Sequence, residues 1–198
     1  VASLVGSEMC IRDRDDYLCI QQFKESLIYD SVNKSYTVAL PWRPNKNQLP
    51  TNQNIALWRM QSLQRKFLVA RTFALRYSNK IQQLLTLDHM EEVVQGTPLG
   101  DRVHYLPHSA VLKEESTTTD FRIVMDGSSK ASASDLSLNE CLYTGPNLMG
   151  DMLQCLLSFR SFEFAATADL EKAFLHFNLR VQDRDCLLYT SPSPRDWL

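Results

Sequence analysis

The run FEFAATADLEKAF at positions 162–174 holds the residues with the clearest chemical potential. Its mostly apolar first part, 162–168, reads as a short buried strand that ends in Asp169. A carboxylate at a strand end is held rigidly at a sheet rim. Mg²⁺ seeks hard oxygen ligands of this kind, with room left for water and phosphate oxygens. Phe174, five residues on, can return over the same point from a short helix at 171–177. The simpler role for Asp169 is to cap that helix by accepting backbone N–H bonds. A lone carboxylate does not define a metal site.

A second feature is charge. Between 41 and 87 lie eight basic residues (Arg43, Lys46, Arg59, Arg65, Lys66, Arg71, Arg76, Lys80) and no acidic one. The near-neutral total of −2 hides this asymmetry. Cations without carboxylates can sit against phosphates, each contact releasing condensed counterions. They can equally be the solvated side of two amphipathic helices.

The elements that must position these residues follow from periodicity. Tyr36, Val38 and Leu40 alternate with Ser35, Thr37 and Ala39, a half-buried strand closed by Pro41. The stretch 41–54, with three prolines and four asparagines, reads as an extended loop. Leu57, Met60, Leu63 and Phe67 recur at helical spacing behind Asn54 as a cap. A second, less regular helix spans about 71–87, which makes a helical pair. Apolar runs at 109–112 and 121–125 flank a Thr-rich turn and predict a β-hairpin. Leu148, Met152, Cys155, Leu156 and Phe159 mark a further helix capped by Asn147.

Composition excludes several classes. With 198 residues, 44% hydrophobic and 22% charged, the chain suits one domain or a domain fragment, and neither a disordered nor a collagenous polymer. No run approaches the ~20 apolar residues of a membrane span. The first residue is Val and no signal-like n-region follows, so the sequence reads as a piece of something longer. Five scattered cysteines without a Cys-x-x-Cys pair argue against a zinc site or a disulfide framework and suit a reducing compartment. His89, His104, His108 and His176 lack ligand spacing and read as structural. Residues 4–14 (LVGSEMCIRDR) and 186–196 (CLLYTSPSPRD) look like translated sequencing-adapter read-through. On this reading 1–14 is adapter-derived or disordered, and 186–198 is an adapter-derived tail.

The run YLPHSAVLKEESTTTDFRIVMDGSSKASASDLSLNECLYTGPNL, followed by FEFAATADLEKAFLHFNL, resembles the reverse transcriptase of BEL/Pao-type long-terminal-repeat retrotransposons. Upstream, YTVALPWRPNKNQLPTNQNIALWRMQSLQRKF resembles the segment before that polymerase core. The likeness covers most of 23–185, in order. It implies a pre-polymerase segment at 15–104 with the helical pair, then a fingers hairpin and the first part of the palm at 105–185. It also implies an RNA-directed DNA polymerase that works by a two-metal mechanism on an RNA or DNA template-primer and deoxynucleotide triphosphates. Such a polymerase lies within an intracellular polyprotein, cytoplasmic or in a virus-like particle, that carries protease, RNase H and integrase elsewhere.

Residue by residue, the resemblance makes Asp169 the aspartate that binds both Mg²⁺ ions, with the Leu170 main-chain carbonyl as a further ligand. Phe174 falls on the steric-gate position beside the sugar 2′-carbon, where a ribonucleotide hydroxyl would collide with its ring. Arg122 matches the fingers arginine that grips the triphosphate, a task suited to a planar guanidinium. Lys113 is the candidate for the second fingers cation, and Asp126 matches the family's acidic position on the same strand, with a structural or loop-ordering role.

The family's paired aspartates are missing: no Asp-Asp follows Asp169. The expectation is an α+β chain, a partial right-hand polymerase with helical N-terminal part, fingers hairpin and incomplete palm, inactive alone. The alternative is a non-catalytic nucleic-acid-binding module that uses the basic 41–87 region, Arg59, Arg65 and Lys66 included.

Overall fold

In the computed structural model, residues 2–94, 97, 99–112, 121–170 and 173–190 are described. The chain is α+β. In order it forms α1 (Ala2–Ser26), β1 (Ile28–Asp30), β2 (Ser35–Val38), α2 (Gln53–Val69), α3 (Arg71–Thr86), β3 (His108–Leu112), β4 (Phe121–Met125), α4 (Met152–Arg160), β5 (Phe177–Leu179) and α5 (Val181–Arg184). Short 3₁₀ turns lie at Pro44–Gln48, Asn139–Cys141, Ala173–His176 and Asp185–Leu187. No described helix is long and apolar enough to cross a membrane.

The described strands make two small sheets. β1 and β5 flank β2, antiparallel and parallel respectively, whereas β3 and β4 form a separate antiparallel hairpin in which Val111 faces Arg122.

The helical pair forms because α2 buries Ala56, Met60, Leu63 and Phe67, a stripe at 3–4 residue spacing. Its partner α3 buries Phe73, Ala74 and Tyr77. Only Ala70 separates the helices, so the chain turns at once and the two stripes meet over Phe121 of β4. Each buried Leu or Phe contributes about 1.5–3 kcal/mol. Rings of Phe67, Phe73, Tyr77 and Phe121 interlock at centroid distances of 5.2–6.4 Å.

The expected cap at Asn54 sits two residues earlier. Asn52 occupies that position with φ 56, and no side-chain cap bond forms. Its amide instead donates to the carbonyls of Tyr105 (3.2 Å) and Ser129 (3.4 Å), which fastens α2 to the neighbouring loops.

A second core gathers loop residues: Trp42, Leu106, Leu138, Cys141 and Cys186. Residues 185–188 run beside 104–106, with Leu106 N–H donating to Leu188 O at 2.6 Å and Leu188 N–H to His104 O at 3.2 Å. The first residues of the expected tail are thus part of the packed body, with Cys186 fully buried. At the other end α1 carries helix through the segment expected to be adapter-derived or disordered.

Two expectations downstream of the hairpin are corrected. The segment 162–168 is not a buried strand: 164–170 has no regular structure and 161–170 is exposed throughout. An apolar run needs a neighbouring strand to form a ladder, and none of the described strands pairs with it. The helix expected at 171–177 is a 3₁₀ turn at Ala173–His176, followed directly by β5, where pairing with β2 takes over. The helix after Gly145-Pro146 starts late, at Met152, because Asp151 rather than Asn147 supplies the cap, accepting from Leu153 N–H at 2.8 Å. Asn147 instead accepts from Met149 N–H at 3.0 Å in a local turn.

Candidate functional site

The hairpin positions Arg122 through strand alternation. Phe121, Ile123 and Met125 turn toward the body, while Arg122 and Val124 are exposed on the outer side. Arg122 therefore projects a guanidinium into solvent from a rigid two-stranded ribbon. Lys113 lies outside the described residues, as does the rest of the turn at 113–120.

Asp126 ends the hairpin and is spent on the turn that follows. Its Oδ1 accepts from Ser128 N–H (3.1 Å) and Ser128 Oγ–H (2.6 Å), and its own N–H donates to Pro107 O at 2.9 Å. The next turn is closed by Glu140. Lys130 Nζ approaches that carboxylate at 2.8 Å, and Ser137 donates to it from N–H and Oγ–H. The Lys130 bond first, then those from Ser137, hold the Glu140 carboxyl at about 2.

Asp169 and Leu170 are exposed in the irregular stretch ahead of the 3₁₀ turn. Phe174 belongs to that turn. Its neighbour β5 is tied to β2, whereas Arg122 belongs to the hairpin that α2 and α3 cover, so the two are carried by different substructures. No three His, Cys, Asp or Glu side chains converge as a metal-binding group among the described residues. Asp169 belongs to no such group among the described residues, and the paired aspartates that complete a two-ion Mg²⁺ site do not follow it in the sequence.

Two cations of the basic stretch lie over core rings. Lys66 Nζ lies 4.2 Å from the centroid of the Phe73 ring, and the Arg76 guanidinium lies 5.1 Å from that of Phe121, so both cover core aromatics. Arg59 and Arg65 are exposed, the latter donating to Gln61 O at 3.4 Å. Arg59 and Lys66 share one side of α2, while Arg65 is turned away by about a third of a turn.

Sequence reasoning missed a buried polar cluster. Asp183 accepts from Trp42 Nε1–H at 2.7 Å and Leu40 N–H at 3.0 Å, with Arg102 Nη1 at 3.8 Å. The Arg102 guanidinium also stacks over the Trp42 ring at 4.7 Å, and its carbonyl accepts from Cys186 Sγ–H at 3.3 Å. Nothing in the string VQDRDC distinguishes Asp183, which is inside, from Asp185, whose Oδ2 accepts from Gly100 N–H at 2.6 Å.

A second buried network joins α3 to the hairpin. His108 Nε2 donates to the Thr190 carbonyl, which leaves Nδ1 to accept from the Tyr77 hydroxyl. Burial lowers the His108 and His104 imidazoles below their ordinary value and raises the Tyr77 hydroxyl. The spacing of His104 and His108 around Tyr-Leu-Pro is the one sequence signal that marks this region.

No family model matches the chain, and neither does any curated protein or solved structure.

Proposed function

We propose that the chain is the fingers and first part of the palm of an RNA-directed DNA polymerase of the BEL/Pao retrotransposon type. The ordered run of motifs across 23–185 carries this reading. The geometry that supports it is the β3–β4 hairpin, which holds Arg122 exposed on a two-stranded ribbon.

What this chain's own residues can do is bind. Arg122 offers paired N–H donors and a permanent positive charge to triphosphate oxygens. Asp169, with the Leu170 carbonyl, is one half of a metal-binding arrangement whose Asp-Asp partner would follow it in the chain, and no such pair occurs after Asp169 in this sequence. Phe174 takes the gate position against the 2′-hydroxyl. The exposed apolar residues Leu153, Leu156, Leu157, Phe162 and Phe164 are, on this reading, the surface that the remaining palm strands cover.

The test is nucleotide binding by the chain itself. Titration of a fluorescent deoxynucleotide triphosphate in the presence of Mg²⁺ should show binding that Arg122→Ala abolishes and Arg122→Lys only weakens. Binding unchanged in Arg122→Ala, with the hairpin intact by circular dichroism, would remove the fingers assignment.

A further inference from the structure

A short strap of chain, residues 188–190, closes over the start of β3. A parallel bridge joins Leu188 to Tyr105, made by Leu106 N–H donating to Leu188 O at 2.6 Å and Leu188 N–H to His104 O at 3.2 Å. The next fastening is a side chain: His108 Nε2 donates to the Thr190 carbonyl, and the Tyr189 ring stands edge-on to the imidazole at 6.0 Å. On its other side the imidazole accepts at Nδ1 from the Tyr77 hydroxyl of α3. Tyr77 is fully buried against Phe67, Phe73 and Phe121, so that end of the chain of bonds is anchored in the aromatic core. His108 itself is 7% exposed.

This site suits a neutral imidazole, which offers one donor and one acceptor. A proton on Nδ1 removes the acceptor for Tyr77 and places a charge among uncharged partners. From α3 comes Tyr77 and from the strap Tyr189, both phenols. β4 sets Met125 opposite His108, and the Asp126 carboxylate beyond it is engaged by Ser128. Glu91, which acts on Tyr189, pairs with Arg184 at 3.1 Å. His104, on the same run as His108, is bonded through Nδ1 to Pro50 O. Neither of the two His108 bonds is to a carboxylate.

A buried charge with no opposite charge favours a state in which water reaches it. Moving α3 would expose Phe73, Ala74 and Tyr77. Lifting the strap gives up the Leu188 bridge and the Thr190 bond, and it releases the buried Thr190 hydroxyl, which has no hydrogen-bond partner among the described residues. We propose that residues 188–190 are an acid-released strap: protonation of His108 Nδ1 by solvent frees them while the α2–α3 core stays folded. No covalent bond changes, and the inference does not rest on the polymerase reading. Burial holds the closed imidazole below its ordinary value of about 6.5, so the closed strap is favoured above that pH and loses ground below it. An ordinary imidazole in the open state raises the open-to-closed ratio about tenfold between about pH 7.5 and about pH 5.5.

The experiment is amide hydrogen exchange of the whole chain at the two pH values, corrected for intrinsic exchange. Protection of the Leu106 and Leu188 amides should fall about tenfold on acidification, while amides of α2 and α3 keep theirs. In His108→Gln, whose amide donates and accepts without titrating, the fall should vanish. In His104→Gln it should persist, because that ring bonds Pro50 rather than the strap. The proposal is overturned by an acid fall that survives His108→Gln, by no fall in the unmodified chain, or by equal loss across α2 and α3. If His108→Gln does not fold, NMR titration of the His108 ring in the unmodified chain decides. Ring protonation that moves the Leu188 and Thr190 amide signals in step supports the strap, and protonation that leaves them unmoved refutes it.

Discussion

Removing the Asp183 carboxylate should cost more than any other single side chain outside the two apolar cores. Asp183 is 5% exposed and is the acceptor for two N–H groups, Trp42 Nε1 and Leu40 N. Asp183→Ala leaves both donors without this acceptor. Each orphaned buried donor costs about 1–3 kcal/mol, so the expected loss is about 2–6 kcal/mol. Arg102, at 3.8 Å and partly exposed, adds under about 1 kcal/mol. Against a total stability of about 5–15 kcal/mol, this is a large fraction. It corresponds to a midpoint lowered by roughly 4–24 °C.

Asp183→Asn should cost less, since one oxygen still accepts, but its NH₂ then faces one of the two donors. Urea unfolding followed by far-UV circular dichroism measures both variants. A double-mutant cycle with Trp42→Phe isolates the indole bond, for which a coupling of about 1.5–3 kcal/mol is expected because the acceptor is charged. If Asp183→Ala shifts stability by less than about 0.5 kcal/mol, or if the cycle is additive, the bonding described around Asp183 is wrong.

Further outcomes follow from the same contacts. His104 and His108 are buried with pKa values lowered by desolvation, so the unfolded chain takes up protons first. Stability should be level above the ordinary imidazole value of about 6.5 and fall as pH drops below it, seen as a lower urea midpoint at about pH 5.5 than at about pH 7.5. In His108→Gln protein that acid-side slope should shrink. Glu140 should titrate at about 2 in a carbon-13 NMR experiment, and Ser137→Ala should move it toward the ordinary carboxylate range. Because its folded value is depressed, its contribution to stability is present above that range and vanishes as pH falls through about 2. Gly145→Ala should destabilise by about 1 kcal/mol or more, because φ is +75 and the new Cβ would sit 3.0 Å from Cys19 Sγ. Cys19→Ala should relieve the contact but not the backbone cost, and a neutral Gly145→Ala would contradict both.

Where burial repeats with a clear period, the sequence was readable. The stripes of α2 and the alternation of β4 are written in residue type, and the hairpin strands fall within a residue of the runs that predict them. Caps were harder, because several side chains of one kind crowd each helix start. Asn52 and Asn54 compete at α2, Asn147 and Asp151 at α4, and only tertiary partners decide which wins. The run at 162–168 misled because hydrophobicity signals a wish for burial without naming the partner. In this chain no described strand lies beside it, and it stays exposed. Long-range pairs were illegible for a related reason: the Asp183–Trp42 bond spans 141 positions, and neither residue's local pattern points to the other. The mixed sheet needed the register of three strands, two of them only three residues long.

The most direct test of the polymerase reading is primer extension by the chain continued through its native reading frame, on an RNA template with deoxynucleotides and Mg²⁺. The account predicts template-directed synthesis that Asp169→Asn abolishes while the protein remains folded, and a downstream pair of aspartates between two strands. A reading frame without that pair, or synthesis that survives Asp169→Asn, would contradict it.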